Sequence, residues 1–484
     1  MLKNIRQTVA VISILAVTLL FVDFTGTLHS WLGWMARIQF VPALLALNVG
    51  VIAVLVVLTL LFGRLYCSVI CPLGIMQDGF AYLGKKARKN RYSYSPAKNI
   101  LRYIMLAVMA AAIVAGVAAV VVLLDPYAAY GRIAQGILAP VWQWCNNLLA
   151  GVAEHYGSYA VYEVDVWMRG GVSLAVALVT LVILAVLAWR NGRTYCNTIC
   201  PVGTLLGLMS RYSLFRPVID LSKCNSCGLC ARNCKSACID SKAHKIDYSR
   251  CVACMDCIGK CHKGAISYTY RRDKIAKEAD TSRRGFVAVA ATAAVKAQEK
   301  TVDGGLAVIA DKKIPSRKTR IVPPGGVSLA NLSSHCTACQ LCVSACPNGV
   351  LRPSSDLATF MQPELSYERG YCRPECTRCS DVCPAGAIRP ISTEDKSSIQ
   401  IGHAVWVKEN CVPLTDGVEC GNCARHCPAG AITMIPSDPD DETSHKIPAV
   451  NIERCIGCGA CENLCPARPF SAIYVEGHEN HRYI

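Results

Sequence analysis

Residues 224–261 read Cys224-x2-Cys227-x2-Cys230-x3-Cys234 and, after a short gap, Cys251-x2-Cys254-x2-Cys257-x3-Cys261. Three thiolates three residues apart on a tight loop can cap three irons of one 4Fe–4S cube. The fourth cysteine of such a run ligates the neighbouring cube. One cluster is therefore expected on Cys224, Cys227, Cys230 and Cys261, the other on Cys251, Cys254, Cys257 and Cys234. Lys235 and His262, not proline, follow the fourth cysteines. Cys238 is an extra thiol, either a substitute for Cys234 or a bystander; the spacing favours Cys234 as the ligand.

Upstream the chain is built for a membrane. Four apolar stretches occupy about 8–24, 41–62, 100–124 and 172–189, against the roughly 20 residues that a spanning helix needs. Basic residues crowd alternate loops: Lys3 and Arg6 before the first stretch, Arg64, Lys85, Lys86 and Arg102 around the second loop, Arg190, Arg193 and Arg211 after the fourth. The positive-inside bias puts those loops, and the cysteine pair of runs that follows, on the cytoplasmic side. The third loop is long enough for an extracytoplasmic helix at about 133–152. Asp23, His29 and Asp125 flank the stretches on the outer side; such groups relay protons in some proteins, and more often are solvated helix ends. Only His29 and His155 lie in this module, both in loops. A pair of haem-ligating histidines inside the spans is therefore not expected, and no haem is assigned.

This module repeats. Gly63-Arg64-Leu65-Tyr66-Cys67-Ser68-Val69-Ile70-Cys71-Pro72-Leu73-Gly74 returns as Gly192-Arg193-Thr194-Tyr195-Cys196-Asn197-Thr198-Ile199-Cys200-Pro201-Val202-Gly203, with eight of twelve positions identical. Two like-oriented copies can bring Cys67, Cys71, Cys196 and Cys200 together. Each pair is spaced i,i+4, on one helical face. The four are read either as redox thiols or an extra metal centre, or as buried thiol pairs at Pro-terminated turns.

Downstream, Ser282-Arg283-Arg284-Gly285-Phe286 precedes a weakly apolar run. That context favours a twin-arginine (Tat) export signal over a basic linker. A Lys-, Arg-, Pro- and Gly-rich linker leads to four more runs: Cys336, Cys339, Cys342, Cys346; Cys372, Cys376, Cys379, Cys383; Cys411, Cys420, Cys423, Cys427; and Cys455, Cys458, Cys461, Cys465. Proline follows each fourth cysteine (Pro347, Pro384, Pro428, Pro466), and short β-type stretches follow three of the runs. Runs two and three carry stretched first gaps.

The 484 residues include 30 cysteines. Disulfide scaffolds and paired zinc ligands do not repeat an x2-x2-x3 period six times in approximate form, four of them without a stretched gap. The net charge is +16, but the basic residues border apolar segments and linkers, with no aromatic-interleaved module for nucleic acid. No dinucleotide fingerprint or P-loop is present. The expected architecture is an α-helical membrane bundle of four spans plus two α+β ferredoxin-like iron–sulfur domains. The boundaries fall at 1–215 (membrane module), 216–270 (two cubes, cytoplasmic), 271–331 (linker with the twin-arginine segment) and 332–484 (four cubes, extracytoplasmic).

On these motifs the first 270 residues resemble the NapH-type membrane ferredoxins, with their Cys-x3-Cys-Pro pairs (Cys67–Pro72, Cys196–Pro201). Residues 282–484 resemble the NapG-type exported four-cluster ferredoxins. A fusion of the two is the departure. The resemblance implies six 4Fe–4S clusters in a bacterial inner-membrane protein. It also implies menaquinone as substrate: menaquinol is oxidised, and the electrons go to a periplasmic reductase or cytochrome c in anaerobic respiration. The chain is then an electron-transfer component, such as a quinol dehydrogenase subunit, whose partners are the lipid, the quinone pool and that acceptor. By analogy with four-cluster ferredoxins, run one exchanges its fourth cysteine with run four, and run two with run three. The membrane module also resembles proteins of the NosR and CcoG kinds, which support other metalloenzymes. A third reading keeps all six cubes cytoplasmic, passing electrons from a soluble donor to quinone.

Overall fold

A computed structural model describes residues 2–87, 92–270 and 312–484. The twin-arginine segment lies outside the described residues. Among the described residues two helices, α1 (Leu2–Val22) and α7 (Gly171–Asn191), are long and apolar enough to cross a membrane. At about 1.5 Å per residue, 21 residues rise roughly 31 Å, the thickness of a hydrocarbon core. Between them run α2 (Val49–Phe62), α3 (Pro72–Ala87), α4 (Asn99–Ala115), α5 (Pro126–Ile133) and α6 (Ala139–His155). Helix α8 (Pro201–Ser210) follows α7.

The second and third apolar stretches are not single spans. Residues 41–62 break at Leu47, which has a left-handed backbone (φ 52°), and Asn48 caps α2 through the Val51 amide (3.2 Å). Residues 100–124 break at Gly116 (φ 70°), after which Ala118–Leu124 forms a separate short helix. Gly116 takes its left-handed conformation at no side-chain cost, and at the first break the Asn48 side chain supplies the cap that starts a new helix. The outward side chains of these helices remain apolar and exposed, including Leu15, Val54, Val57, Ile104, Val179, Val182 and Ile183. Exposed apolar surface of this extent marks contact with lipid or protein.

The third loop folds inward. Every residue of α5 is buried. Asp125 caps it, accepting from the Tyr127 and Ala128 amides at 3.0 and 3.2 Å. A π-helical turn over Ala134–Leu138 joins α5 to α6, so the helix expected at about 133–152 begins inside the module. Asp23 and His29 are likewise enclosed, paired at 3.3 Å. Asp125 and Asp23 are buried caps rather than solvated helix ends.

The two cysteine-rich units are made of short antiparallel strand pairs. In the first, β1 (Phe215–Ile219) pairs with β4 (Ile266–Tyr270), and β2 (Ile239–Asp240) with β3 (Lys245–Ile246). In the second, β5 (Leu351–Pro353) pairs with β6 (Pro363–Leu365). Strand β7 (Ile399–Trp406) pairs with β10 (Ile473–Tyr483), and β8 (Ile432–Asp438) with β9 (Asp441–Val450).

These units sit at opposite ends of the helical module. Lys3 at the start of α1 meets Asp256 (3.0 Å), Phe62 at the end of α2 stacks on Phe215, and the Arg193 amide just past α7 donates to the Lys235 carbonyl (2.8 Å). At the other ends, Ser173 in the first turn of α7 accepts from Gln340 (2.6 Å), and Arg37 donates to the Asp381 carbonyl (2.9 Å). Trp167 lies under the Arg352 and Arg369 guanidinium groups.

Candidate metal centres

The cysteine runs fold into loops that aim several sulfurs at one place. In all four unstretched runs the residues before and after the second cysteine are left-handed: Ser226 and Gly228, Ala253 and Met255, Ala338 and Gln340, Gly457 and Gly459. Non-glycine residues there cost about 1–2 kcal/mol each, a strain kept where a site over-determines the backbone. Backbone amides donate to the sulfurs: Ala338 to Cys336 (3.3 Å), Ile388 to Cys383 (3.4 Å), Ala431 to Cys427 (3.3 Å), Ala472 to Cys465 (3.3 Å) and Ala265 to Cys261 (3.2 Å). Bonds of this kind stabilise thiolate and help set a cluster's potential.

Four of the quartets surround gaps. Cys251, Cys254 and Cys257 share one with Cys234, the exchange expected from the spacing. Cys224, Cys227 and Cys230 lie in one another's electrostatic field, and Cys261 packs against the same small core as Cys230. In the second unit Cys372, Cys376 and Cys379 share a gap with Cys346, while Cys383 faces Cys336, Cys339 and Cys342. Cys411, Cys420 and Cys423 are joined by Cys465; Cys455, Cys458 and Cys461 by Cys427. Run one therefore exchanges with run two and run three with run four, not one with four and two with three. The physical reason is local: consecutive runs close shorter loops, which costs less chain entropy than joining the first to the last. Among the described residues no three His, Cys, Asp or Glu groups close on a single-ion position. Thiols ringed around a gap suit a four-iron cube better than one tetrahedral ion.

Cys238 lines the Cys234 gap too, its sulfur 3.5 Å from that of Cys234. Hydrogen bonding from Cys238 brings Cys234 down to about 7 and also lowers Cys251, while Cys238 itself is pushed well up.

The Cys-x3-Cys-Pro pairs meet inside the helical module. Cys67, Cys71, Cys196 and Cys200 are all buried and lie in one another's electrostatic reach. Their surroundings repeat with pseudo-twofold symmetry. Arg64 donates to the Cys196 carbonyl (3.0 Å) and Arg193 to the Cys67 carbonyl (2.7 Å). A Cβ on Gly74 would strike the Cys67 carbonyl, and one on Gly203 the Cys196 carbonyl.

This site and these loops define a ferredoxin-type iron–sulfur protein of the electron-transfer class. Residues 43–91 and 173–221 match the family described as "4Fe-4S binding domain"; residues 335–388 and 418–468 each match a "4Fe-4S dicluster domain". Among its relatives, the ferredoxin-type protein NapH of Escherichia coli is 26% identical over 245 residues, 49% of this chain and 72% of NapH. The methylamine utilization ferredoxin-type protein MauN of Paracoccus denitrificans is 27% identical over 221 residues, 45% of this chain and 62% of MauN. An uncharacterised Methanocaldococcus jannaschii protein, MJ0749, is 36% identical over 93 residues, 19% of this chain; the chain spans 37% of its length. No solved structure matches.

Proposed function

We propose that the chain is a multi-pass membrane polyferredoxin. Menaquinol is oxidised at the helical module, and electrons leave through the 332–484 unit to a periplasmic reductase or c-type cytochrome. In this reading the helical module makes four spans, two of them broken, and residues 282–484 correspond to a NapG-type exported partner fused to the membrane ferredoxin. Six 4Fe–4S clusters supply one-electron carriers when bound. The protein's part is to hold them with the 24 cysteines of the six runs, to bond the sulfurs, and to keep the units docked on the helices.

The observation that carries this reading is the clamping of an apolar-faced helical module between two cysteine-rich units at its opposite ends. Exposed apolar helix faces joined to cysteine-rich units suit a relay between a lipid-soluble donor and an acceptor in water; a soluble carrier needs no such faces. The test is anaerobic addition of menaquinol to the oxidised, purified full-length protein. Bleaching of the cluster absorbance is expected. Absorbance unmoved by menaquinol, while dithionite bleaches it, would remove quinol as the donor.

A further inference from the structure

Each segment that matches the "4Fe-4S binding domain" family carries only one pair of cysteines, Cys67 with Cys71 and Cys196 with Cys200. Neither pair alone supplies the four ligands that an iron–sulfur cluster takes. The fold brings the two pairs together in the core of the helical module, between the two cysteine-rich units.

The charges around them call for an anion. Arg64 is fully buried. Its partners are the Asn197 side chain (2.8 Å), the Ser249 and Cys196 carbonyls (3.2 and 3.0 Å) and, more distantly, the Cys67 sulfur (3.8 Å). Among the described residues no carboxylate reaches it, and its Nε is unpaired. Arg193, equally buried, shares Asp78 with Arg6 and Lys235 (2.6, 3.3 and 2.7 Å) and leaves Nη2 unpaired. Lys235 and Lys3 also meet Asp256, beside the Cys254 gap of the first unit; the cations turned toward the four thiols are Arg64 and Arg193, 3.8 Å from the Cys67 sulfur and 3.9 Å from that of Cys196. A buried guanidinium hydrogen-bonded only to neutral groups is destabilising, and four neutral thiols offset none of that. A cluster on four thiolates carries about two negative charges beside these groups.

We propose that Cys67, Cys71, Cys196 and Cys200 together hold one iron–sulfur cluster, two ligands from each repeat, which links the two ferredoxin units. On one side the motif loops are tied to the first unit: the Arg193 amide donates to the Lys235 carbonyl (2.8 Å) and Asn197 to the Ser236 carbonyl (3.2 Å). Both carbonyls lie on the turn between Cys234 and Cys238. On the other side, Tyr66 and Tyr195, the residues before Cys67 and Cys196, lie in the field of Asp125. Asp125 caps α5, whose Gly131 lies against the Cys339 carbonyl. Electron tunnelling falls off exponentially with distance, so a centre between the two units shortens the step from one to the other. Held by Cys67, Cys71, Cys196 and Cys200, such a cluster would supply a one-electron carrier there, its reduction and reoxidation breaking no thiolate bond.

This inference rests on reading the other quartets as cube sites, and the experiment separates the two. Iron and acid-labile sulfide are counted in anaerobically purified full-length protein, with EPR at stepped potentials. The six runs alone account for about 24 irons. The expected count is two to four higher, and Cys67→Ser with Cys196→Ser removes that excess and one EPR signal while the others stay. If that double variant does not fold, Arg64→Gln serves instead: one EPR signal shifts to lower potential. A wild-type count near 24, or pairs recovered as disulfides, overturns the shared centre and spares the quartets. Protein without iron overturns both.

Discussion

Cys238 lies 3.5 Å from the Cys234 sulfur and within hydrogen-bonding reach of Cys251; with Cys234 and Cys251 as ligand thiolates, Cys238 is the one left to donate. A donor of this kind stabilises the more electron-rich, reduced state. Cys238→Ala is therefore predicted to leave the iron count unchanged and to lower one midpoint potential by on the order of 50 mV, the equivalent of roughly 1 kcal/mol for one electron. Loss of about four irons in a redox-monitored titration of that variant would instead make Cys238 the ligand. In the second unit, burial, aided by neighbouring His478, holds the His481 imidazole down to about 4 from 6.5. A histidine lowered on folding contributes stability that is complete above its unfolded value and is lost as pH falls from 6.5 toward 4. About 1 kcal/mol should disappear between pH 7 and pH 5.5, out of roughly 3 in all. Denaturant midpoints at the two pH values check this; His481→Gln should shrink the difference, and an unchanged difference would assign it elsewhere.

At the scale of the element, α5 carries the contact between the helical module and the second unit. It is buried on every side, and Gly131 lies where a Cβ would meet the Cys339 carbonyl and the Phe21 ring. Gly131→Ala is expected to cost about 1–3 kcal/mol by overpacking, seen as a lower melting temperature and faster protease release of the second unit. A variant as resistant as the parent would show that the docking lies elsewhere. Little in the sequence announced this helix. Its residues are ordinary loop and interface types, and only the Asp125-Pro126 start carries a helix signal. Hydropathy likewise counts apolar residues without registering a reversal of backbone direction, so the breaks at Leu47 and Gly116 were not legible. The cysteine runs were, because their spacing states a local loop geometry that no tertiary contact overrides. In the second unit the partner of each fourth cysteine was not, since nothing within a run says which of three neighbouring runs it faces. The repeat at Gly63 and Gly192 foreshadowed the meeting of four thiols but not the two buried arginines that cross between the copies.

For the whole molecule, the decisive quantity is the charge at each end of the helices. The end that holds the 216–270 unit gathers Lys3, Arg6, Arg64, Lys85, Lys86, Arg102, Arg193 and Arg211. Several of these are fixed in contacts to that unit: Lys3 to Asp256, Arg64 and Arg102 to the Ser249 carbonyl (3.2 and 3.1 Å). Basic residues within a few turns of a span resist translocation, so this end is predicted to face the cytoplasm. The opposite end presents Asp23, Asp125 and Trp167 to the second unit, and α1 and α7 are each long enough to put roughly 30 Å between the two. Alkaline phosphatase joined after Ile484 should then be active, and the same enzyme joined after Tyr270 inactive. A fluorescent protein that matures only in the cytoplasm should give the reverse pattern. Silence of the phosphatase at both positions, with fluorescence at both, would place the two units on one side. The helices would then be the core of a peripheral assembly, and their exposed Val and Ile rows would be covered by protein rather than lipid.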